Sequence, residues 1–189
     1  MTLLNPYGLL GGVLFLLLFL MHGSLWLSHK TGGDVGRRAG AATRKLWPVL
    51  LIIAVAFLIY TAFETRLYEN YLSNPLLFII PLIAVVALLV VRLLIAKGAW
   101  WKAWFASCAT IVGTTLFGVI GLYPSLFPSS LDNAYSQTIY NSASSPLTLK
   151  IMLVVVLIFV PIIIVYQGWV YILFRGKLTE NDIRQEEAY

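Results

Sequence analysis

PLLFIIPLIAVVALLVVRLLIA, residues 75–96, contains a single charged side chain, Arg92. A bilayer core about 30 Å thick is crossed by about 20 apolar residues at a rise of about 1.5 Å each, so this run reads as a spanning helix. Four other stretches meet the same requirement, at 6–28, 46–65, 103–125 and 147–174. The composition agrees. Of 189 residues, 60% are hydrophobic and 11% charged, whereas a soluble domain carries about 25% charged residues. Soluble, disordered, collagenous and disulfide-rich classes are therefore excluded. The sequence predicts an all-α integral membrane protein with five transmembrane helices, a four-helix bundle plus one additional helix, in a single membrane domain over 1–189. Residues 175–189 form its cytoplasmic tail.

The basic residues orient the spans, because short cytoplasmic loops collect Lys and Arg. The loop after the first span holds Lys30, Arg37, Arg38, Arg44 and Lys45; the turn after the third holds Arg92, Lys97 and Lys102; the tail holds Arg175, Lys177 and Arg184. Only Arg66 and Lys150 fall on the other side, which predicts the N-terminus outside and the C-terminus cytoplasmic. The leader MTLLNPYG carries no positive charge, and basic residues follow the first apolar run where a cleaved signal would have them in front. That run is expected to stay as a span. Scattered in this way, the basic residues form no stripe for nucleic acid.

Asn5-Pro6, Asn74-Pro75 and Ser145-Pro146 each combine a capping side chain with a proline at the first helical position, which marks the outer ends of the first, third and fifth spans. Trp47, Trp100, Trp101, Trp104, Tyr123 and Trp169 fall near span ends, where amphipathic rings sit at headgroup level. Pro81 and Pro161 are expected to kink the third and fifth spans. Gly8 with Gly12, and Gly113, Gly118 and Gly121 with Ser107, Ala109 and Thr110, offer small faces for close helix packing. The segment YPSLFPSSLDNAYSQTIYNSASSP, 123–146, is too polar to be embedded and too long for a turn. It reads as an outer loop, either a contact surface or simply solvated. LTENDIRQEEAY, 178–189, resembles a short capped helix.

Few side chains offer chemistry. Cys108 is the single cysteine, so there is neither an internal disulfide nor a Cys/His cluster for zinc. His22 lies about 24 Å down the first span from Pro6 at about 1.5 Å per residue. It could ligate haem iron, but the second histidine, His29, is about 10.5 Å further along the same helix at that rise. Two axial ligands must face each other across the iron, and Met152 lies at another depth. The favoured reading of His22 is a histidine hydrogen-bonded inside the bundle, sharing a face with Trp26. Arg92 lies about 7.5 Å from Lys97 along the axis, within reach of snorkelling to the headgroups; the alternative is a charge partner in the bundle or in another subunit. Glu64, near an outer span end, has the same two readings. No acidic residue lies at mid-span, and no phosphate-binding or nucleophile motif is present. On the residues alone, a small oligomeric membrane transporter or channel remains open as an alternative.

Several strings carry a resemblance. GLYPSLFPSS at 121–130, YNSASSPLTLKIM at 140–152 and FVPIIIVYQGWVYILFRGKLTENDI at 159–183, with HGSLWLSHKTGGDVGRRA at 22–39, resemble subunit II of the cytochrome bd-type quinol oxidases, in order and spacing, over essentially the whole chain. Members of ordinary size carry nine helices, and this chain looks like the second half, five helices, only. A split gene, a half-length homologue that dimerises and an incomplete sequence would each account for that. The resemblance implies a haem-free scaffold subunit of a respiratory terminal oxidase that oxidises quinol and reduces dioxygen to water. The partner, haem-bearing subunit I, holds two haems b and one haem d or a third haem b. A separate chain with four helices, or a second copy, would complete this subunit. A bound structural quinone or lipid is also implied, and a place in the prokaryotic cytoplasmic membrane. No catalytic, cofactor-binding or metal residue is carried onto this chain; His22, Arg92 and Glu64 stand as polar contacts within the bundle or to a partner.

Overall fold

Asn5 and Pro6 open the first helix, α1 (Pro6–Lys30), as their chemistry dictates: the Asn5 side chain accepts from the Gly8 N–H at 2.5 Å, satisfying a donor that has no intrahelical partner. The computed structural model describes residues 5–129 and 132–176. Ser145 caps α6 (Pro146–Leu173) in the same way, accepting from the Thr148 N–H at 3.3 Å. Asn74 departs from the expected pattern, since its side chain makes no capping bond. A short helix, α3 (Leu67–Ser73), ends there, and a 3-10 turn over Pro75–Phe78 leads into α4 (Ile79–Ala96). Pro81 consequently sits in the first turn of α4, where its missing N–H breaks no ladder bond. The mid-helix kink expected there is replaced by the 3-10 entry. Pro161 does lie inside α6.

Five helices are long and apolar enough to span: Pro6–Lys30, Gly33–Glu64, Pro75–Ala96, Trp100–Leu122 and Pro146–Leu173. Their number matches the sequence reading, but one boundary differs substantially. The loop expected over the basic residues before 46 shrinks to Thr31 and Gly32, because α2 (Gly33–Glu64) begins 13 residues earlier than expected and runs for 32 residues. At about 1.5 Å per residue that is about 48 Å, against a hydrocarbon layer of about 30 Å. The polar first third is unfit for lipid, yet its Arg, Ala and Lys residues favour helix and continue it into the headgroup region. α5 (Trp100–Leu122) starts three residues before the expected 103, after a tight turn in which Gly98 takes φ +67°. The capped helix expected over 178–189 lies outside the described residues.

The described residues fall into two compact units, 5–122 and 123–176; the single membrane domain expected from the sequence covers both. In the first, α1, α2, α4 and α5 form an antiparallel four-helix bundle. α1 packs along α2, α4 along α5, and α1 against α5 joins the two hairpins. Leu14, Leu18, Met21 and Leu25 form one buried stripe of α1, meeting Leu50 of α2, Leu88, Val91 and Ile95 of α4, and Ala103 of α5. The spacing of three and four places these residues on one helical face. A second cluster joins Leu67 and Tyr71 of α3 to Phe117 of α5.

Lipid is as apolar as these side chains, so close approach matters more here than hydrophobic drive. A Cβ on Gly113 would fall 2.8 Å from Cβ of Ala84, and one on Gly121 only 2.5 Å from Cδ2 of Leu67. Those two glycines are packing positions, as expected of the small face of α5. The Gly8/Gly12 pair is not. Gly8 faces only the capping side chain of Asn5, and Gly12 has nothing within 4 Å, whereas their neighbour Gly11 seats the ring of Phe57.

In the second unit, the expected loop contains its own small framework: β1 (Ser125–Phe127) pairs antiparallel with β2 (Gln137–Thr138). The buried Ser136 hydroxyl accepts from the Ser129 N–H at 3.0 Å. Asn141 accepts from the Thr138 N–H at 2.6 Å and donates to the Ser136 carbonyl at 3.1 Å. Tyr123 and Tyr140 share a hydroxyl bond of 2.9 Å, and this bond is the main cause raising the Tyr123 phenol above its ordinary pKa.

Candidate functional site

Charge is divided between the two ends of the four-helix bundle. Lys30, Arg37, Arg38, Arg44, Lys45, Arg92, Lys97 and Lys102 lie at the end formed by the α1–α2 corner and the α4–α5 turn. At the opposite end, among the described residues of the bundle, Arg66 stands with Glu64 and Glu69.

One cluster of polar and aromatic side chains lies toward the basic end. His22 on α1 and Ser107 on α5 meet at 2.7 Å between Nδ1 and Oγ. Ser107 is fully buried, and its hydroxyl donates to the Trp104 carbonyl at 2.7 Å. The Ser107 hydroxyl thus sits between the Trp104 carbonyl and Nδ1 of His22. The imidazole lies 5.0 Å from the Trp104 ring, and Trp26 lies 5.3 Å from that same ring. The expected shared face of His22 and Trp26 thus has a common partner from another helix. Trp101 stacks on Trp104 at 5.5 Å, and His29 lies tilted against Trp101 at 4.8 Å. Beside this shell, Ser24 of α1 and Thr43 of α2 share a hydroxyl bond of 2.7 Å.

Arg92 is exposed, and its guanidinium lies 5.6 Å over the ring of Trp47. Trp47 in turn donates from Nε1 to the Leu88 carbonyl at 2.8 Å, tying α2 to α4. Glu64 is the exposed last residue of α2, one helix turn past Thr61, which shares a hydroxyl bond of 3.1 Å with Tyr7. The three polar residues singled out from the sequence therefore occupy separate places and form no common site. Sequence reasoning passed over Tyr71, whose side chain is fully buried and donates to the Phe117 carbonyl at 2.8 Å. Burial, with a smaller push from neighbouring Tyr68, raises its phenol to about 12.

A haem can be tested against this interior. The cavity between the four helices holds about 50 Å³, lined by apolar side chains such as Leu14, Leu50, Pro81 and Leu88 together with Thr110 and Thr114, and His22 is not in its wall. Pockets for even a drug-sized ligand begin near 300 Å³. His22 and His29 both lie on α1 and cannot oppose each other across one iron. Among the described residues, no three His, Cys, Asp or Glu side chains gather as a metal would require. The interior cavity between the four helices does not fit a haem.

Comparison with known proteins places these features in a family. The cytochrome bd ubiquinol oxidase subunit 2 of Bacillus subtilis (strain 168) is 28% identical over 181 residues, covering 95% of this chain and 52% of that protein. The cytochrome bd-I ubiquinol oxidase subunit 2 of Escherichia coli (strain K12) is 27% identical over 212 residues, covering 97% of this chain and 55% of that protein. A probable cytochrome oxidase subunit 2 of Haemophilus influenzae is 28% identical, with 96% and 55% covered. The chain thus spans about half the length of the curated relatives it matches. The profile of the family described as cytochrome bd terminal oxidase subunit II matches residues 1–174. With five spanning helices and this match over most of its length, the chain is a multi-pass protein of the prokaryotic cytoplasmic membrane and belongs to the cytochrome bd terminal oxidase subunit II family.

Proposed function

We propose that this chain acts as a haem-free scaffold in a cytochrome bd-type quinol oxidase, holding a haem-bearing subunit I that oxidises quinol and reduces dioxygen to water. The observation that carries the reading is the family match over residues 1–174, joined to an interior built from Leu, Val, Ile and paired hydroxyls. In this reading the redox chemistry belongs to haems of the partner, and the work of this chain is packing and positioning. Because it spans about half the length of its relatives, we further propose that a separate four-helix chain or a second copy completes the subunit. The charge division of the bundle supports a cytoplasmic basic end and an external N-terminus. His22, Arg92 and Glu64 are then contacts within the bundle or to that partner.

The test is purification of the native complex through a tag on this chain. The expected preparation contains a larger haem-bearing subunit, shows the visible absorption of a chlorin-type or b-type haem, and loses quinol oxidase activity when this chain is deleted. A preparation without haem absorption, or oxidase activity intact after the deletion, would overturn the proposal. Solute flux through liposomes holding this protein alone would favour the transporter reading instead.

A further inference from the structure

A second cavity lies at the basic end, in the corner between α1 and α2. It holds about 310 Å³, and Ser28, Thr31, Arg37, Gly40, Arg44 and Trp100 are among its lining residues. That volume reaches the range of ligand pockets, which begins near 300 Å³. The pattern of α2 builds it. Gly33, Gly36, Gly40 and Arg37, Ala41, Arg44 recur at spacings of three and four, so they share one face. The two arginines stand seven residues apart, about 10.5 Å along the axis at about 1.5 Å per residue. The glycines form a low floor between them. Side chains there would collide, since a Cβ on Gly36 would fall 2.5 Å from the Thr31 carbonyl oxygen and one on Gly40 would fall 3.1 Å from the Trp100 ring.

The chemistry of the wall is cationic and donor-rich. The guanidinium of the exposed Arg44 lies 5.8 Å over the Trp100 ring, which holds it at the wall of the cavity while its N–H groups remain available to an anion. Arg37 is 81% exposed and pairs with Asp34, an exposed partner at i−3. Exposed pairs of that kind are weak and yield to an anion that binds both arginines. A guanidinium fork matches a phosphate in a bidentate way. The position matters as well. Arg44 and Lys45 immediately precede the apolar run of α2 and Trp100 begins α5, which argues for a cavity at headgroup level. Basic pockets between spanning helices at that level hold anionic lipid headgroups.

We propose that this cavity is a phosphate-binding site, clamped by Arg37 and Arg44 against the glycine face of α2, with an anionic phospholipid headgroup as its occupant in the membrane. A free phosphate would satisfy the same chemistry, so the test separates the two sources. The full chain, in nanodiscs of phosphatidylcholine with and without phosphatidylglycerol, is transferred to detergent and its retained lipid read by native mass spectrometry. Inorganic phosphate is titrated in neutral micelles and followed by phosphorus NMR. The expected result is selective retention of phosphatidylglycerol, reduced roughly tenfold or more in Arg37→Gln/Arg44→Gln. Ala41→Glu, which puts a carboxylate in the wall, is expected to reduce it equally and covers the case in which the double variant does not fold. Arg38→Gln, outside the cavity, should retain lipid like the unmodified chain. Phosphate binding without lipid retention, lost in the same variants, would support the site with a soluble occupant. The proposal is overturned if neither probe is selected, if the cavity variants retain as much as the unmodified chain, or if Arg38→Gln loses as much as they do. None of these readouts depends on haem or on oxidase activity.

Discussion

His22 shows how far a single residue could be read. Its depth in the first span and its kinship with Trp26 follow from helical rise and angular spacing, which are properties of one helix. Its partner Ser107 is 85 positions away on another helix, and nothing in one sequence couples two such positions. Ser107 belongs to the small face of α5, and in the structure its hydroxyl also meets the ring of His22. The two roles predict a measurable difference. Ser107→Ala leaves Nδ1 of His22 without its partner and should destabilise the bundle by about 0.5–2 kcal/mol, the range for interhelical polar contacts in membranes. Adding His22→Leu to it removes the stranded ring nitrogen and should recover part of that loss. Unfolding in mixed micelles of rising denaturing detergent content reads both, and a double variant no better than the sum of the singles would refute the pairing.

At the scale of elements, apolar runs announced all five spans, while the ends of those spans followed rules of their own. Hydropathy reports where lipid begins and is silent on where a helix begins, so the basic third of α2 reads as a loop by hydropathy although its residues favour helix. Asn5 and Ser145 capped as expected because a cap is a local matter; Asn74 did not, because α3 already occupied the preceding turn. The glycines separate in the same way. Gly113 is set against the backbone of Ala84, with a Cβ position 3.2 Å from its Cα, and Gly12 faces open space. Gly113→Val should force α4 and α5 apart and destabilise by about 1–3 kcal/mol, whereas Gly12→Ala should stay within about 0.5 kcal/mol. Equal shifts in the thermal unfolding of the two variants would contradict the close approach of these helices.

For the molecule as a whole, topology is the property that the charge distribution addresses. Eight Lys and Arg residues gather at one end of the bundle and one at the other, which predicts opposite accessibility for the two ends. In a Cys108→Ser background, a cysteine placed at Arg38 should react with a membrane-impermeant maleimide only after the cytoplasmic face is opened. One placed at Arg66 should react in intact cells, and the reverse pattern would invert the proposed orientation. His22 and His29 share one helix, a relation read from the sequence, whereas the 50 Å³ volume between the four helices is a property of their packing. The cavity between Arg37 and Arg44 was invisible beforehand, since it exists only if residues 33–45 are helical.

What this sequence determined by itself is the solvent: an unpaired backbone group in hydrocarbon is so costly that apolar runs of about 20 residues have no alternative to spanning helices. Only the tertiary structure decided which face of each helix is buried, which glycine is a contact and which hydroxyl finds the histidine. These spans are apolar on every side, so no amphipathic stripe marks the inward face. With lipid as apolar as the core, the choice among faces is left to shape, close packing and a few hydrogen bonds between residues distant in the chain.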